Sequence, residues 1–379
     1  MLKLGFWLVL SLIIYTYFIY PLILLTLSKM KSKPKKNKGF LPLVSMVISA
    51  HNEESVIDTK IRNCMELDYP KDKLEVMIGS DGSTDKTERI IENYSAQGIR
   101  LFKFRRRVGK VNILNNIIPQ ARGEIIVFSD ANTIYSSSAI KELVKHFINP
   151  RVGCVCGKLI LQKEKGSFER ELEGIYWKYE SFLKRLEGQM GFLLGANGGI
   201  YAIRKELFEP IPSNTIVEDF VISIKILERG SKVMYEPEAI AFEETSRSIS
   251  EERIRKTRIG AGDYQALLLT LPMLNIFKGF PSFAYWSHKV IRWLVPFLLI
   301  SLLILNILLI KERFYQYLFI LQSIFYIGGL IGYLFSKNGF QFRLFYLLYY
   351  FIAMHWSLLI GFLKFMMGTQ KVTWEKVNR

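Results

Sequence analysis

Cysteine is nearly absent from this chain: 379 residues hold three, and Cys154 and Cys156 stand one residue apart. That spacing gives neither a disulfide framework nor a zinc site, and a reduced cytosolic setting fits it. Acids are scarce as well, 34 against 51 lysines and arginines, which leaves a formal charge of +17. Such an excess raises nucleic acid as a partner. The basic residues, however, collect at the borders of apolar runs, with Arg105, Arg106 and Arg107 and the stretch from Arg253 to Arg258 as the exceptions. Anionic lipid and a phosphorylated substrate explain that distribution better, so no nucleic acid is expected. There is no internal repeat and no low-complexity tract beyond a run of lysines.

Charge is missing altogether from residues 5–27, 293–310, 315–335 and 344–363. Each stretch has about the ~20 residues that cross a hydrocarbon core. The first is too long for a signal peptide and ends in Thr26, Leu27, Ser28, Lys29 without a small-x-small cleavage site. Six lysines lie between Lys29 and Lys38, and cytoplasmic flanks are the ones that accumulate Lys and Arg. The expectation is an integral protein of the cell membrane: a transmembrane helix in 1–28, a basic linker in 29–41, a cytosolic domain, about three further spans in 293–366, and a tail in 367–379. One conflict follows. Three spans after a cytosolic domain would leave the tail from Lys371 to Arg379 outside, yet it is basic; either one C-terminal segment is re-entrant or interfacial, or the tail departs from the charge bias. The spans carry almost no ionisable residue apart from His355, which argues against a transporter.

Between residues 42 and 244 short apolar runs alternate with amphipathic stretches. LVSMVISA (43–50), LEVMIG (74–79), IRLFKF (99–104) and EIIVFS (124–129) read as strands, and EESVIDTKIRNCMEL, DKTERIIENY and VGKVNILNNII have helical spacing. Such alternation predicts an α/β domain with a mainly parallel sheet covered on both faces. Residues 245–292 mix charges with aromatics and prolines, as helices lying in a membrane interface do.

Parallel sheets bind ligands at the carboxyl ends of their strands. The predicted strands end in Ala50, His51, Asn52, Glu53; in Ser80, Asp81, Gly82, Ser83; and in Ser129, Asp130, Ala131, Asn132. One such acid alone is more often a helix cap than a ligand. Three polar ends on one edge surround a polar ligand of nucleotide size.

SAHNE, SDGSTDKT, RRRVGKVNILN, FSDAN, GANGGIYAIRKELF and VEDFVISIKILERG, in this order and spacing, resemble the motifs of membrane-bound family 2 glycosyltransferases, above all the poly-N-acetylglucosamine, hyaluronan and cellulose synthase group. The resemblance covers most of residues 42–292. It implies a GT-A fold, Rossmann-like with a mainly parallel sheet, a nucleotide-sugar donor (usually a UDP-sugar) and a divalent metal, Mg²⁺ or Mn²⁺. By the same resemblance Asp130 is the first acid of a D-x-D motif and holds that metal. Asn132 stands at the third position where the family more often has Asp, and offers an amide oxygen without charge. Asp81, Ala50, His51, Glu53 and Lys110 are implied at the nucleotide, His51 replacing a commoner Tyr. A Walker-loop reading of Lys110 fails for want of an upstream Gly and a downstream Ser or Thr.

Glu218 and Asp219 resemble the family's T-E-D motif, which makes Asp219 the implied catalytic base with Glu218 beside it; read locally, the same acids could complement a helix N-terminus. Gly195, Asn197 and Gly198 of GANGG are implied at the acceptor. Residues 255–259 align with the family's Q-x-x-R-W with only Arg258 kept, as a cation for the diphosphate. The missing Trp, Ile259 here, counts against processive synthesis. The tail TWEKVNR again resembles this group.

These readings together predict a membrane-embedded inverting glycosyltransferase that moves a sugar from a nucleotide sugar to a polysaccharide or a lipid-linked acceptor, with membrane lipid as a further partner and room for an oligomer, since four spans are few for a channel. The alternative is a non-catalytic, nucleotide-binding scaffold subunit of a synthase complex. Retention of Asp81, Asp130, Glu218 and Asp219 together speaks against it.

Overall fold

A computed structural model describes residues 1–31, 37, 39–162, 168–244, 249–338, 340 and 342–372. The tail motif TWEKVNR and most of the lysine run lie outside the described residues. The β-branched and aliphatic runs form the expected strands: β1 Val44–Ala50, β2 Leu74–Asp81, β3 Ile99–Phe104 and β4 Ile125–Asp130. All four are parallel, in the order β3-β2-β1-β4. Between them come helices Ile57–Glu66, Thr87–Glu92 and Lys110–Ile117, where the 3.6-residue spacing placed them. β1 is buried on both faces, as a central strand between two helical layers must be. One apolar core lies on each side of the sheet.

Four more strands extend this half: β5 Thr133–Tyr135, β6 Val152–Gln162, β7 Tyr201–Arg204 and β8 Lys232–Glu244. The eight-stranded order is β3-β2-β1-β4-β7-β6-β8-β5. β7 enters antiparallel beside β4, fixed by the Tyr201 ring stacked on Phe128 at 4.2 Å between centroids. Because β1 to β4 all point one way, Ala50, Asp81, Phe104 and Asp130 end on a single edge. The register sets Ala50 opposite Ser80, Ser49 opposite Asp130, and Asp81 opposite Phe104.

Four helices are long and apolar enough to cross a membrane: Leu2–Lys29, Phe280–Leu308, Arg313–Lys337 and Arg343–Met366. The first two are widened by π-helical turns at Tyr15–Ile19 and Tyr285–Val290. These turns face each other: the Thr16 hydroxyl donates to the Ser287 carbonyl at 2.6 Å, and the Tyr15 and Ser287 hydroxyls pair at 2.7 Å. A side-chain donor thus meets a backbone carbonyl where lipid offers none. His355 is bound to the Tyr17 hydroxyl at 2.8 Å, a link between helices. Gly328, Gly329 and Gly332 let the third helix lie directly on Leu348, Ile352 and the Phe345 backbone of the fourth.

The region expected as interfacial divides in two. Helix Ile249–Leu269 packs through Gly260 on Leu358 and receives Gly361 against Ala261. After two short 3₁₀ turns, which leave Leu271, Ile276 and Phe277 exposed, the chain runs as one helix from Phe280 to Leu308. The sequence boundary at 293 therefore falls inside a helix. His288, Lys289 and Arg292 put charge into its first half, and that is why a hydropathy reading starts the apolar run too late.

Candidate active site

The ends of β1 and β2 are laced into one floor. His51 Nδ1 lies 2.6 Å from the Asp81 carbonyl, and the Asn52 amide N–H donates to Ser83 Oγ at 3.1 Å. The Asn52 side chain in turn accepts from the Thr84 N–H at 2.8 Å, and the Glu53 N–H donates to Thr87 Oγ1 at 2.8 Å. Asn52 adopts φ 54°, a left-handed turn for which Asn is suited. Ala50 is fully buried and lends only backbone to this floor. The Asp81 carboxylate accepts from the Val108 N–H at 2.6 Å and the Gly109 N–H at 3.0 Å, so it ties the 105–109 loop to the sheet edge. Gly82, at φ 61°, lies so close beneath that loop that a Cβ would come within 2.6 Å of the Arg106 carbonyl carbon.

Helix Lys110–Ile117 then begins with a cation set between two of the acids. Lys110 Nζ lies 2.7 Å from Asp130 Oδ1 and 2.7 Å from Glu218 Oε1. Burial works against this ammonium, but the two carboxylates outweigh it and hold its pKa above the ordinary lysine value. Asn132 Nδ2 donates to Glu243 Oε1 at 3.2 Å, which leaves its amide oxygen to face elsewhere. Asp130 and Asn132 are both partly exposed hard-oxygen donors, the chemistry that Mg²⁺ and Mn²⁺ select. The Asp130 oxygen not held by Lys110 and the Asn132 amide oxygen make a donor set that fits such an ion.

Glu218 and Asp219 open helix Glu218–Glu228 as the sequence reading has it. They are differently engaged. Glu218 is taken by Lys110, whereas Asp219 accepts the Phe220 N–H at 2.8 Å and makes no ion pair among the described residues. Burial, with the Glu218 charge adding to it, raises the Asp219 carboxyl to about 6, although Lys110, the Phe220 N–H and Lys184 oppose the shift. The Phe220 bond shows that the helix-capping role is partly real, and it occupies one carboxylate oxygen only. Gly198 closes over the other: a Cβ there would stand 3.1 Å from Asp219 Oδ2. Gly195, at φ 97°, lies against the Phe220 ring, and Asn197 is fastened through its amide to the Gly157 carbonyl at 3.0 Å. Arg258 Nη2 bonds the Ile216 carbonyl at 3.3 Å, two residues before Glu218, within electrostatic reach of both acids.

The structure thus brings Lys110, Asp130 and Glu218 into direct contact, with Gly198 against Asp219, Arg258 within electrostatic reach of both acids, and Asp81 and His51 on the adjoining strand ends. The structure adds others. Lys60 is fully buried beneath the turn that carries Asp130 and Asn132; it donates to Ser129 Oγ at 2.7 Å and to the Thr133 carbonyl, and lies 4.5 Å from the Tyr135 ring centroid. Its signal was in the sequence: Ile57, Lys60, Ile61 and Cys64 share one helical face, and a lysine among apolar residues there needs an internal partner. Lys184, Asp263 and Lys289 gave no such signal, because they come from three distant helices.

The family model described as Glycosyl transferase family 2 matches residues 45–211. Beta-monoglucosyldiacylglycerol synthase of Trichormus variabilis is 35% identical over 138 residues, 35% of this chain and 30% of that protein. Poly-beta-1,6-N-acetyl-D-glucosamine synthase of Staphylococcus aureus is 28% identical over 271 residues, 69% of this chain and 64% of that protein. The chain spans less than two thirds of the length of these curated relatives. Among solved structures, a mannosyltransferase of Pyrobaculum calidifontis in complex with GDP-Man and Mn²⁺ superposes with a TM-score of 0.74 at 18% identity, covering 97% of this chain and 99% of that one. The shared fold is the Rossmann-like GT-A fold with its accompanying apolar helices.

Proposed function

We propose that this chain, whose residues 45–211 match the glycosyl transferase family 2 model, is embedded in the membrane and moves one sugar from a nucleoside diphosphate sugar, UDP-linked by the family resemblance, to a hydroxyl on a membrane lipid, with inversion at the anomeric carbon. The observation that carries this reading is the unequal treatment of three carboxylates. Lys110 holds Asp130 and Glu218, and Asp219 is left raised to about 6 without an ion-pair partner among the described residues. A carboxylate in that state can accept a proton near neutral pH. The acceptor oxygen attacks the anomeric carbon on the face opposite the nucleotide, its proton passes to Asp219, and the bond from the anomeric carbon to the diphosphate oxygen breaks.

Lys110 and Arg258 face the negative charge that grows on the leaving diphosphate. A divalent cation, for which Mn²⁺ in the mannosyltransferase complex is a parallel, would be held by Asp130 and Asn132 and would supply further neutralisation of that diphosphate. The 105–109 loop, held by Asp81, together with Ala50, His51 and Glu53, would bound the nucleoside. A lipid acceptor fits the wall beyond Asp219, where Phe220 packs on Tyr285 and Trp293 of an apolar helix. It fits too the name of the diacylglycerol-glucosylating relative and the absence of a Trp at Ile259.

The test is a panel of nucleotide sugars given to the full chain in native-like membranes, with and without Mn²⁺, and radiolabelled product sized afterwards. One donor should be consumed with release of nucleoside diphosphate, and the label should stay with lipid as a single sugar. Long polymer would overturn the single-addition reading. Donor binding without any consumption would restore the scaffold alternative.

A further inference from the structure

Besides Lys110 and Arg258, further cations gather around Asp219, and a neutral sugar would not require them. Lys289 Nζ stands 5.7 Å over the ring of Phe220, the residue after Asp219. Lys184 donates to Asn197 Oδ1, on the loop whose Gly198 touches Asp219. Lys256 lies 5.8 Å from the Trp177 ring. Between them is Asp263, half-buried, whose carboxyl burial raises to about 7 against the pull of Lys289 and Lys256. The other acids of this chamber are committed: Glu187 to His288 at 2.5 Å and to the Tyr20 hydroxyl at 2.9 Å, and Glu180 to Arg292. Among the described residues neither Lys184 nor Lys289 has a carboxylate at ion-pair distance.

An ammonium kept half-buried with no carboxylate at ion-pair distance is only partly compensated, and the cost falls when an anion binds it directly. Lys289 is more informative still because it lies within Phe280–Leu308, an apolar helix long enough to span a membrane. Ionisable groups in such helices mark functional sites. His288 and Arg292, its neighbours, are in direct contact with Glu187 and Glu180; Lys289 has no such direct carboxylate contact among the described residues.

We propose that Lys184 and Lys289 bind the phosphate of an anionic lipid acceptor, so that the hydroxyl receiving the sugar belongs to a lipid headgroup carrying phosphate beside it. The inference rests on the glycosyl-transfer reading above. Phosphate oxygens accept charge-assisted hydrogen bonds from both ammonium groups, and the hydroxyl is thereby presented to Asp219. The transfer is unchanged in its balance: a C–O bond forms at the acceptor, the bond to the nucleoside diphosphate breaks, the acceptor proton goes to Asp219, and the acceptor phosphate is a handle that is neither made nor cleaved.

The experiment compares two acceptors bearing the same sugar in the same vesicles, one on a polyprenyl phosphate and one on an uncharged alkyl chain, with the donor selected by the panel. The phosphorylated acceptor should be preferred by about tenfold or more in kcat/KM, the worth of one charge-assisted bond. Lys289→Gln and Lys184→Gln should each erase most of that preference by raising KM for the phosphorylated acceptor, and Lys289→Arg should keep it. Equal use of the two acceptors, or a preference that survives both Gln variants, overturns the inference. Inorganic phosphate is added in a separate arm; if it stimulates transfer to the uncharged acceptor, the subsite serves the free ion and the lipid assignment is wrong. Failure of the glycosyl-transfer reading looks different, since no donor would then be consumed even slowly by water.

Discussion

Asp219 is where charge, burial and chemistry meet in one residue. Because its carboxyl is raised to about 6, the acid limb of kcat/KM should rise through that pH, where the free enzyme's base loses its proton. Glu218→Gln removes a like charge and should shift that limb to lower pH while leaving substantial activity. Asp219→Asn should cost about 10²- to 10⁴-fold in transfer and still bind donor. Stability runs the other way: a carboxyl whose folded pKa lies above its unfolded value destabilises the fold as pH rises from about 3.8 through 6. The Asn variant should therefore melt no lower than the parent at neutral pH, and a clear fall in Tm would return Asp219 to the capping role. Asp130→Ala should abolish transfer with the fold intact, and Asn132→Asp should retain activity at a lower Mn²⁺ requirement; a metal titration of both variants decides. The sequence revealed these residues because their neighbours along the chain form motifs. Lys184 and Lys289 stayed hidden because they reach Asn197 and Phe220, the neighbours of the Asp219 site, only after distant helices pack.

At the level of the elements, the first four strands were legible to within a residue or two because each is a short apolar run between turn signals, and the three inner ones are buried on both faces. β5 and β7 were not. Three and four residues, TIY and YAIR, carry no usable period, and their pairing is fixed from outside, by Phe128 stacking on Tyr201 and by Thr133 opposite Glu243. The strand ends opposite the site hold a second device that the sequence concealed. Glu75 on β2 accepts from Ser45 of β1 at 2.5 Å, from the Arg122 N–H at 2.9 Å and Nε at 3.0 Å, and from Arg100 of β3. Burial alone would raise its pKa, but these donors outweigh burial and hold it at about 2. Its folded pKa is depressed, so its stabilisation is full above the unfolded value near 4.5 and is lost as pH falls from there toward 2. Glu75→Gln strands two guanidinium groups and should cost about 3 kcal/mol, seen as a lower Tm at pH 7 and a smaller difference from the parent in acid.

For the whole molecule, the basic tail that conflicts with three C-terminal crossings has a structural answer. Helices Leu2–Lys29 and Phe280–Leu308 lie side by side: Tyr15 and Thr16 meet Ser287 toward the catalytic domain, and Gly5 meets Leu305 at the far end. Lys3 pairs there with Glu312 at 2.8 Å, just before helix Arg313–Lys337 begins. That third helix starts far from the domain, and its glycines 328, 329 and 332 pack on Phe345, Leu348 and Ile352, the first half of the last helix. The last helix then advances toward the domain, its Gly361 against Ala261, and Val372 just beyond it accepts from Arg258 at 3.0 Å. Helices Leu2–Lys29 and Phe280–Leu308 thus run between the far end and the domain, Arg313–Lys337 starts at the far end and pairs antiparallel with the last helix, and the last helix ends against the domain. The Val372–Arg258 bond puts the start of the tail on the side of the catalytic domain, and Lys371 there obeys the charge bias. The native cysteines, Cys64, Cys154 and Cys156, are all buried, so single cysteines at Lys371 and at exposed Arg106 can be read without background. A membrane-impermeant maleimide should label both from the same face of sealed vesicles. Labelling from opposite faces would mean that Val372 does not reach Arg258 in the membrane.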